Sequence, residues 1–433
     1  MKALKNIFRL DAWANIIAGL GTAKDKRAFT QAEWAPMTEG ECEDLLDGSD
    51  VARKICEDLP QESLREGYEV KFDTLTPELS KQISDEFDRL SFNERLLEAA
   101  TWARAYGGAA IIPITDNVLE LSKPFNPNSV KRIKNLLVLN RFELVYDKLD
   151  EDIRSPGFGE PLIYTICPRG GSTVTNLRVH VSHIIRFDGA KLTRRHYQKN
   201  NYWHDSVLNG SRQAIADYES SMASLANAIT DFSVAVYKQK GLHDQIAQGD
   251  DEQVIKRMQI ISLTRSISRA VVIDADTEEF QYQNRTMTGI NESVEKISQR
   301  LVVASNMPHT RILGESPTGS NATGNSTTQQ WYDYVAAWQK NYLGQRMTKL
   351  FDRVALQTEG PLKGQVPQGY TFEFAPLWQL SQDEEATARK TQAEADQLYI
   401  QNGVFTPEHI AKSRVGSGKF SYETLPLDEN EPV

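Results

Sequence analysis

Histidines, hydroxyls and glycines that could serve a reaction fall into a few short strings. His180-Val181-Ser182 and His204-Asp205-Ser206 each set a histidine two positions before a hydroxyl. Used as a pair, such strings offer two imidazoles for general acid and base work on a phosphoester. That chemistry needs both strings on paired strands with an apolar middle residue, whereas Asp205 is charged and the second string runs into a helical segment. His180 and His183 also form an H-x-x-H pair, but residues three apart on a strand face opposite sides, so one metal cannot take both. The expectation is a strand with one buried and one exposed histidine, and no metal site. In SRVGSGKF, Ser413 stands where a phosphate-binding loop needs its first glycine and Phe420 where it needs Ser or Thr. No ATP cradle is expected there, GxSxG is absent, and no cofactor is implied.

Two further strings concern nucleic acid. KLTRRHYQK places Lys191, Arg194, Arg195 and Lys199 around Tyr197, a local basic cluster with an aromatic in it. The other string, LGESPTGSNATGNSTT from Leu313 to Thr328, carries one charge, Glu315, among Gly, Ser, Thr, Asn and Pro. The whole chain has 433 residues and net charge -10. An acidic chain does not grip DNA through a broad basic face, because binding by counterion release needs many phosphate contacts. Three cysteines without a CxxC argue for a reducing compartment. No window is long and apolar enough to cross a membrane, and the opening MKALKNIFRLDAWANIIAGLG reads as an amphipathic arm.

The elements that must carry these strings follow from periodicity. SFNERLLEAATWARAYGG predicts a helix over Phe92 to Tyr106, stopped by Gly107-Gly108, and a short apolar strand follows it. NLLVLNRFELVYD, EPLIYTICP and LRVHVSHIIRF read as strands, the last with Leu177, Val179, Val181, His183, Ile185 and Phe187 on one face. The period then lengthens. Ile215, Tyr218, Met222, Leu225, Ile229, Phe232 and Val236 repeat every three or four residues, a stripe along roughly 45 Å of helix. A second stripe, Ile290, Val294, Ile297 and Leu301, marks a partner helix, and the segment between the two reads as a small domain inserted at the tip of the pair. After the polar loop, Ser326 and Gln329 can form a capping box for a long helix bearing Trp331, Val335, Trp338, Met347, Leu350 and Phe351. A strand-like YTFEFAPLW and two polar helices end the chain, before a tail of disordered composition.

Read in order, ARAYGGAAIIPI, VLNRFELVYD, SPGFGEPLIY, VHVSHIIRFDG, LGESPTGSNATGNS, FAPLWQLSQDEEA and GVFTPEH resemble the portal, or head-to-tail connector, proteins of tailed bacteriophages. The resemblance covers nearly the whole chain and implies an α+β portal-like fold. It divides the chain into a wing over 1–204, a first stem helix over 205–240, a clip over 241–287 and a second stem helix over 288–308. A tunnel loop over 309–327, a return to the wing over 328–376, and a crown with tail over 377–433 complete it.

What the resemblance implies is a non-enzymatic channel. A homo-oligomeric ring, typically of twelve, stands at one capsid vertex of the virion, is assembled in the host cytoplasm, and passes double-stranded DNA during packaging and ejection. Its other partners are the terminase motor, capsid and scaffold proteins, and tail adaptors, with no membrane involved. Gly314, Ser316, Thr318, Gly319, Ser320, Asn321, Thr323, Gly324, Asn325 and Ser326 would then line the channel. Asp250, Asp251 and Glu252 would lie on the docking surface for motor and tail. The alternatives are another head-tail adaptor, or a phosphoesterase working through His180 and His204.

Overall fold

The computed structural model describes residues 34–115, 121–167, 177–230, 233–239, 255–256, 259–260, 278–284, 290–314, 325–378 and 382–414. Its first element is α1 (Glu39–Gly48), opened by a capping box in which Thr38 and Glu41 exchange hydrogen bonds. α2 (Asp50–Leu64) follows at once, and Ser49 caps it by accepting from the Ala52 amide. Pro60 lies inside α2. Then come β1 (Tyr68–Lys71), α3 (Pro77–Arg89) and α4 (Phe92–Tyr106), the last with the bounds its apolar spacing predicts. Gly107 ends α4 with φ of 92°, a left-handed conformation that a side chain would strain.

From Gly107 the chain enters β2 (Gly108–Thr115), the middle strand of a three-stranded sheet. β2 pairs antiparallel with β3 (Ile133–Asn140) and with β7 (Ile185–Asp188). Its run GAAIIPI is apolar on both faces because both faces are covered. Ala109 and Ile111 enter one core with α4, while Ala110 and Ile112 enter a second core with Tyr164, Val179 and Trp203. Each fully buried isoleucine of this kind contributes about 1.5–3 kcal/mol. The second core is closed by a separate antiparallel sheet of β4 (Leu144–Leu149), β5 (Pro161–Ile166) and β6 (Leu177–His180), in that order.

Two segments expected as continuous strands are broken. NLLVLNRFELVYD turns at Arg141–Glu143, because the Asn140 side chain accepts from the amides of Phe142 and Glu143. Arg141 is buried there, donating to Asn200 and to the Met37 carbonyl. LRVHVSHIIRF turns at Val181–His183, where the His180 ring accepts from the Ser182 amide. β6 and β7 therefore join different sheets, and Val181 faces solvent instead of sharing a buried face with Val179 and Ile185.

α5 (Arg194–Lys199) leads to α6 (Val207–Thr230). The first stem stripe was expected to stay helical through Val236, but the helix ends at Thr230. Val236 lies in β8 (Ser233–Gln239), paired with Gln281 of β9 (Glu278–Asn284). SVAVYKQ opens by alternating valine with smaller residues and continues with Tyr237, a composition that a facing strand stabilises more than a helix would. Phe232 lies outside the described residues. α7 (Ile290–Ser305) then returns along α6.

α8 (His309–Ile312) precedes the polar loop, and α9 (Asn325–Trp338) follows it. Ser326 thus sits within the first turn of α9 and not at its cap. A π-helical turn, Gln339–Leu343, joins α9 to α10 (Gly344–Ala355). The extra residue shifts the buried face, so Leu343, Met347, Leu350 and Phe351 join the α4 core while Trp331 and Val335 enter a third core with Ile55, Ile215 and Leu301. β10 (Thr371–Phe374) pairs with β1, and α11 (Gln382–Gln401) and α12 (Pro407–Arg414) end the described chain.

Candidate functional site

The two-helix rod is rooted in the core and opens toward its tip. Ile215 and Leu301 are fully buried, Tyr218, Met222, Leu225, Val294 and Ile297 are half-buried, and Ile229 is 58% exposed. Burial thus falls along the stripe from root to tip. Polar contacts fix the root: Ser211 donates to the Ala304 carbonyl at 2.9 Å, and Arg300 pairs with Asp217 at 2.6 Å. Ser49, at the start of α2, donates to Glu219 at 2.5 Å. Past the end of α6, β8 pairs antiparallel with β9. Asp250, Asp251 and Glu252 lie outside the described residues.

The polar loop springs from the root of the rod. Gly314 has φ of 73°, with open space around the position a side chain would take, so the chain turns there in a conformation suited to glycine. Asn325 and Ser326 begin α9 on the other side. Ser316, Thr318, Gly319, Ser320, Asn321, Thr323 and Gly324 lie outside the described residues. Both ends of the loop bear on α2. Arg311 of α8 forms an ion pair with Glu62 at 2.5 Å, and Tyr332 of α9 lies beneath the guanidiniums of Arg65 and Arg311. Sequence reading missed Glu62, because a carboxylate in a charged helix looks solvated until tertiary packing places a cation over it.

The histidines are engaged in local structure. His180 is half-buried with Nδ1 2.8 Å from the Ser182 hydroxyl, and His183 is half-buried with Nε2 2.9 Å from the Lys123 carbonyl. The expected split into one buried and one exposed ring is therefore replaced by a turn that half-buries both. His204 accepts from the Leu192 amide at 3.1 Å, in the segment that precedes α6 and not on a strand. Burial lowers the pKa of all three. Among the described residues His180 and His204 share no hydrogen-bond partner, and no group of three His, Cys, Asp or Glu side chains could hold a metal. No helix among the described residues is long and apolar enough to cross a membrane.

The basic cluster is partly structural. Tyr197 donates to Glu160 at 2.7 Å, and His196 stacks on Trp34 at 4.3 Å. Cys42 and Cys56 are free and buried, and burial pushes their thiols up to about 11 and about 12. Such thiols are inert at neutral pH.

Comparison with known proteins bears on the whole arrangement. A protein named anti-CBASS protein Acb1 from Caulobacter sp. (strain RHG1) is 27% identical over 397 residues, which is 89% of this chain and 62% of that protein. One of the same name from Sphingomonas paeninsulae is 26% identical over 95% of this chain and 65% of its own length. The chain therefore spans less than two thirds of either. An uncharacterised protein of Haemophilus influenzae is 24% identical over 95% of this chain and 91% of its own. Among solved structures, the neck of a native GTA particle computed with C12 symmetry aligns over 91% of this chain and 96% of its own, at 13% identity and a TM-score of 0.48. An HK97 family phage portal protein from Corynebacterium diphtheriae aligns over 79% and 97%, at 12% identity and a TM-score of 0.37. The family model described as phage portal protein matches residues 41–398, well over half of the sequence, and the chain belongs to that family.

Proposed function

We propose that copies of this chain assemble into a ring at one capsid vertex, typically twelve, through whose axis double-stranded DNA is packaged and later ejected. The observation that carries this reading is the rod with its loop, within a chain of the phage portal protein family. α6 and α7 pack along one another, their shared stripe grows more exposed toward the tip, and a polar loop whose single charge is Glu315 leaves the base. Apolar stripe left over on a paired helix is buried when neighbouring rods stand beside it. Residues 241–287, at the tip, form the docking surface for the terminase motor and for tail adaptors, with Asp250, Asp251 and Glu252 contributing charge to it.

Gly314 to Ser326 line the narrowest part of the channel and touch DNA without holding it. DNA must both turn and advance through a channel, so strong cation–phosphate pairs repeated round a ring would retard it. Ser, Thr and Asn offer weak, interchangeable hydrogen bonds instead. The reaction is passage of DNA and not bond breaking, and it needs no cofactor. The test is to replace Ser320 and Asn321 by Arg. Rings should form as before, while packaging slows and becomes more salt-dependent. Parental packaging rates for this variant at low salt would show that the loop does not meet DNA.

A further inference from the structure

We propose that Glu62 is a clasp that fixes both ends of the polar loop and couples them to the C-terminal helices. The proposal rests on the channel reading of that loop only for its consequence. Its geometry stands alone. Glu62 is 8% exposed, and its Oε1 contacts Arg65 at 2.6 Å and Arg311 at 2.5 Å. Arg311 belongs to the helix just before the loop. The two guanidiniums lie over one ring, that of Tyr332 in the helix just after the loop, at 5.6 and 5.9 Å. One carboxylate thus holds two cations together against an aromatic face, an arrangement in which each contact depends on the others.

The same cluster reaches the C-terminal segment. Arg65 donates to the Leu377 carbonyl at 3.2 Å, and the Trp378 ring lies 6.2 Å from that of Tyr332. Residues 377–378 lead into the segment that carries α11. Glu62 is therefore where α8 before the loop, α9 after it and the entry to the C-terminal helices meet on α2. Displacing the loop strains the clasp, and the strain passes to Trp378. Without the carboxylate, Arg311 loses this ion pair beside a second cation, while Arg65 keeps its pair with Glu66 and its bond to the Leu377 carbonyl. Two guanidiniums over one ring, without the carboxylate that pairs both, repel and loosen the base of the loop.

Hydrogen–deuterium exchange on the full chain tests this. In Glu62→Gln the amides of α8 and of the first turns of α9 should exchange about tenfold faster, while those of α4 keep the parental rate. Glu62→Gln combined with Arg311→Gln should be no faster than Glu62→Gln alone, because both remove one shared contact. Trp378→Ala should also speed exchange in α8. An α8 rate that is unchanged in Glu62→Gln, or that rises together with α4, overturns the clasp. So do two single substitutions whose effects multiply, and an α8 indifferent to Trp378→Ala overturns the coupling. If exchange rises as expected but packaging by Glu62→Gln rings is unaffected, the channel reading fails while the clasp stands.

Discussion

A β-carbon added at Gly108 would lie 2.2 Å from Cε3 of Trp203, whose ring is 1% exposed and cannot withdraw. Trp203 is held there by its indole, which donates to the Leu144 carbonyl, and by Arg186, 4.1 Å above the ring. Gly108→Ala should therefore lower stability by about 1–3 kcal/mol or more, read as a shift in the denaturation midpoint. The half-buried histidines make a second prediction at this scale. Burial depresses the pKa of His183 and His204 in the folded chain, so the unfolded chain binds protons more readily below an ordinary histidine pKa of about 6.5. Stability contributed by the neutral rings is present above that pH and lost as pH falls through it. His204→Gln should flatten the loss of thermal stability between about pH 7 and pH 5.5, a window that carboxylates hardly enter. An unchanged pH slope would mean the ring titrates alike in both states and is not buried in solution.

At the scale of elements, the rod divides its own stripe into two kinds of position. Ile215 and Leu301 are sealed within the chain, so Asp at either buries an unpaired charge and should unfold the root, at a cost of several kcal/mol. Ile229 is 58% exposed in the single chain. Ile229→Asp should leave the circular dichroism spectrum and melting temperature of the single chain nearly unchanged, yet reduce ring assembly measured by light scattering. Normal rings from Ile229→Asp would show that the tip of the stripe is not an interface between copies. Leu225, half-buried, should fall between the two.

For the whole molecule, mass separates the channel reading from its alternatives. Twelve copies of a 48.8 kDa chain weigh about 0.6 MDa, so mass photometry of purified assemblies should find a species near that value. A head-tail adaptor of lower order, or an enzyme acting as a monomer, would leave no such species. On the channel reading, a net charge of -10 per chain would keep the surface of the ring from adsorbing DNA. Replacing Asp250, Asp251 and Glu252 by Lys should weaken capture of the terminase motor in a pull-down while the ring remains intact. Undiminished capture would place the docking surface elsewhere.

The features legible from the residues alone were local or strongly periodic. The helix Phe92–Tyr106 and its glycine stop, the buried run of β2, and the stripes that pair α6 with α7 all follow from spacing and from one residue's allowed φ. The portal resemblance was legible too, because it rests on strings in order along the chain, and the family match over residues 41–398 agrees with it. Tertiary structure decided where a pattern served two periods at once. Val236 continues the helical stripe in spacing, yet Ser233–Gln239 also alternates, and the choice fell to pairing with Glu278–Asn284, a partner far along the chain. The breaks at Asn140 and His180 were hidden for a related reason. Each side chain there bonds a neighbouring amide and ends a strand that apolar alternation alone would have continued. Glu62 lay beyond reading as well: Arg65 is only three residues on, but the second guanidinium, of Arg311, and the Tyr332 ring come from segments far along the chain.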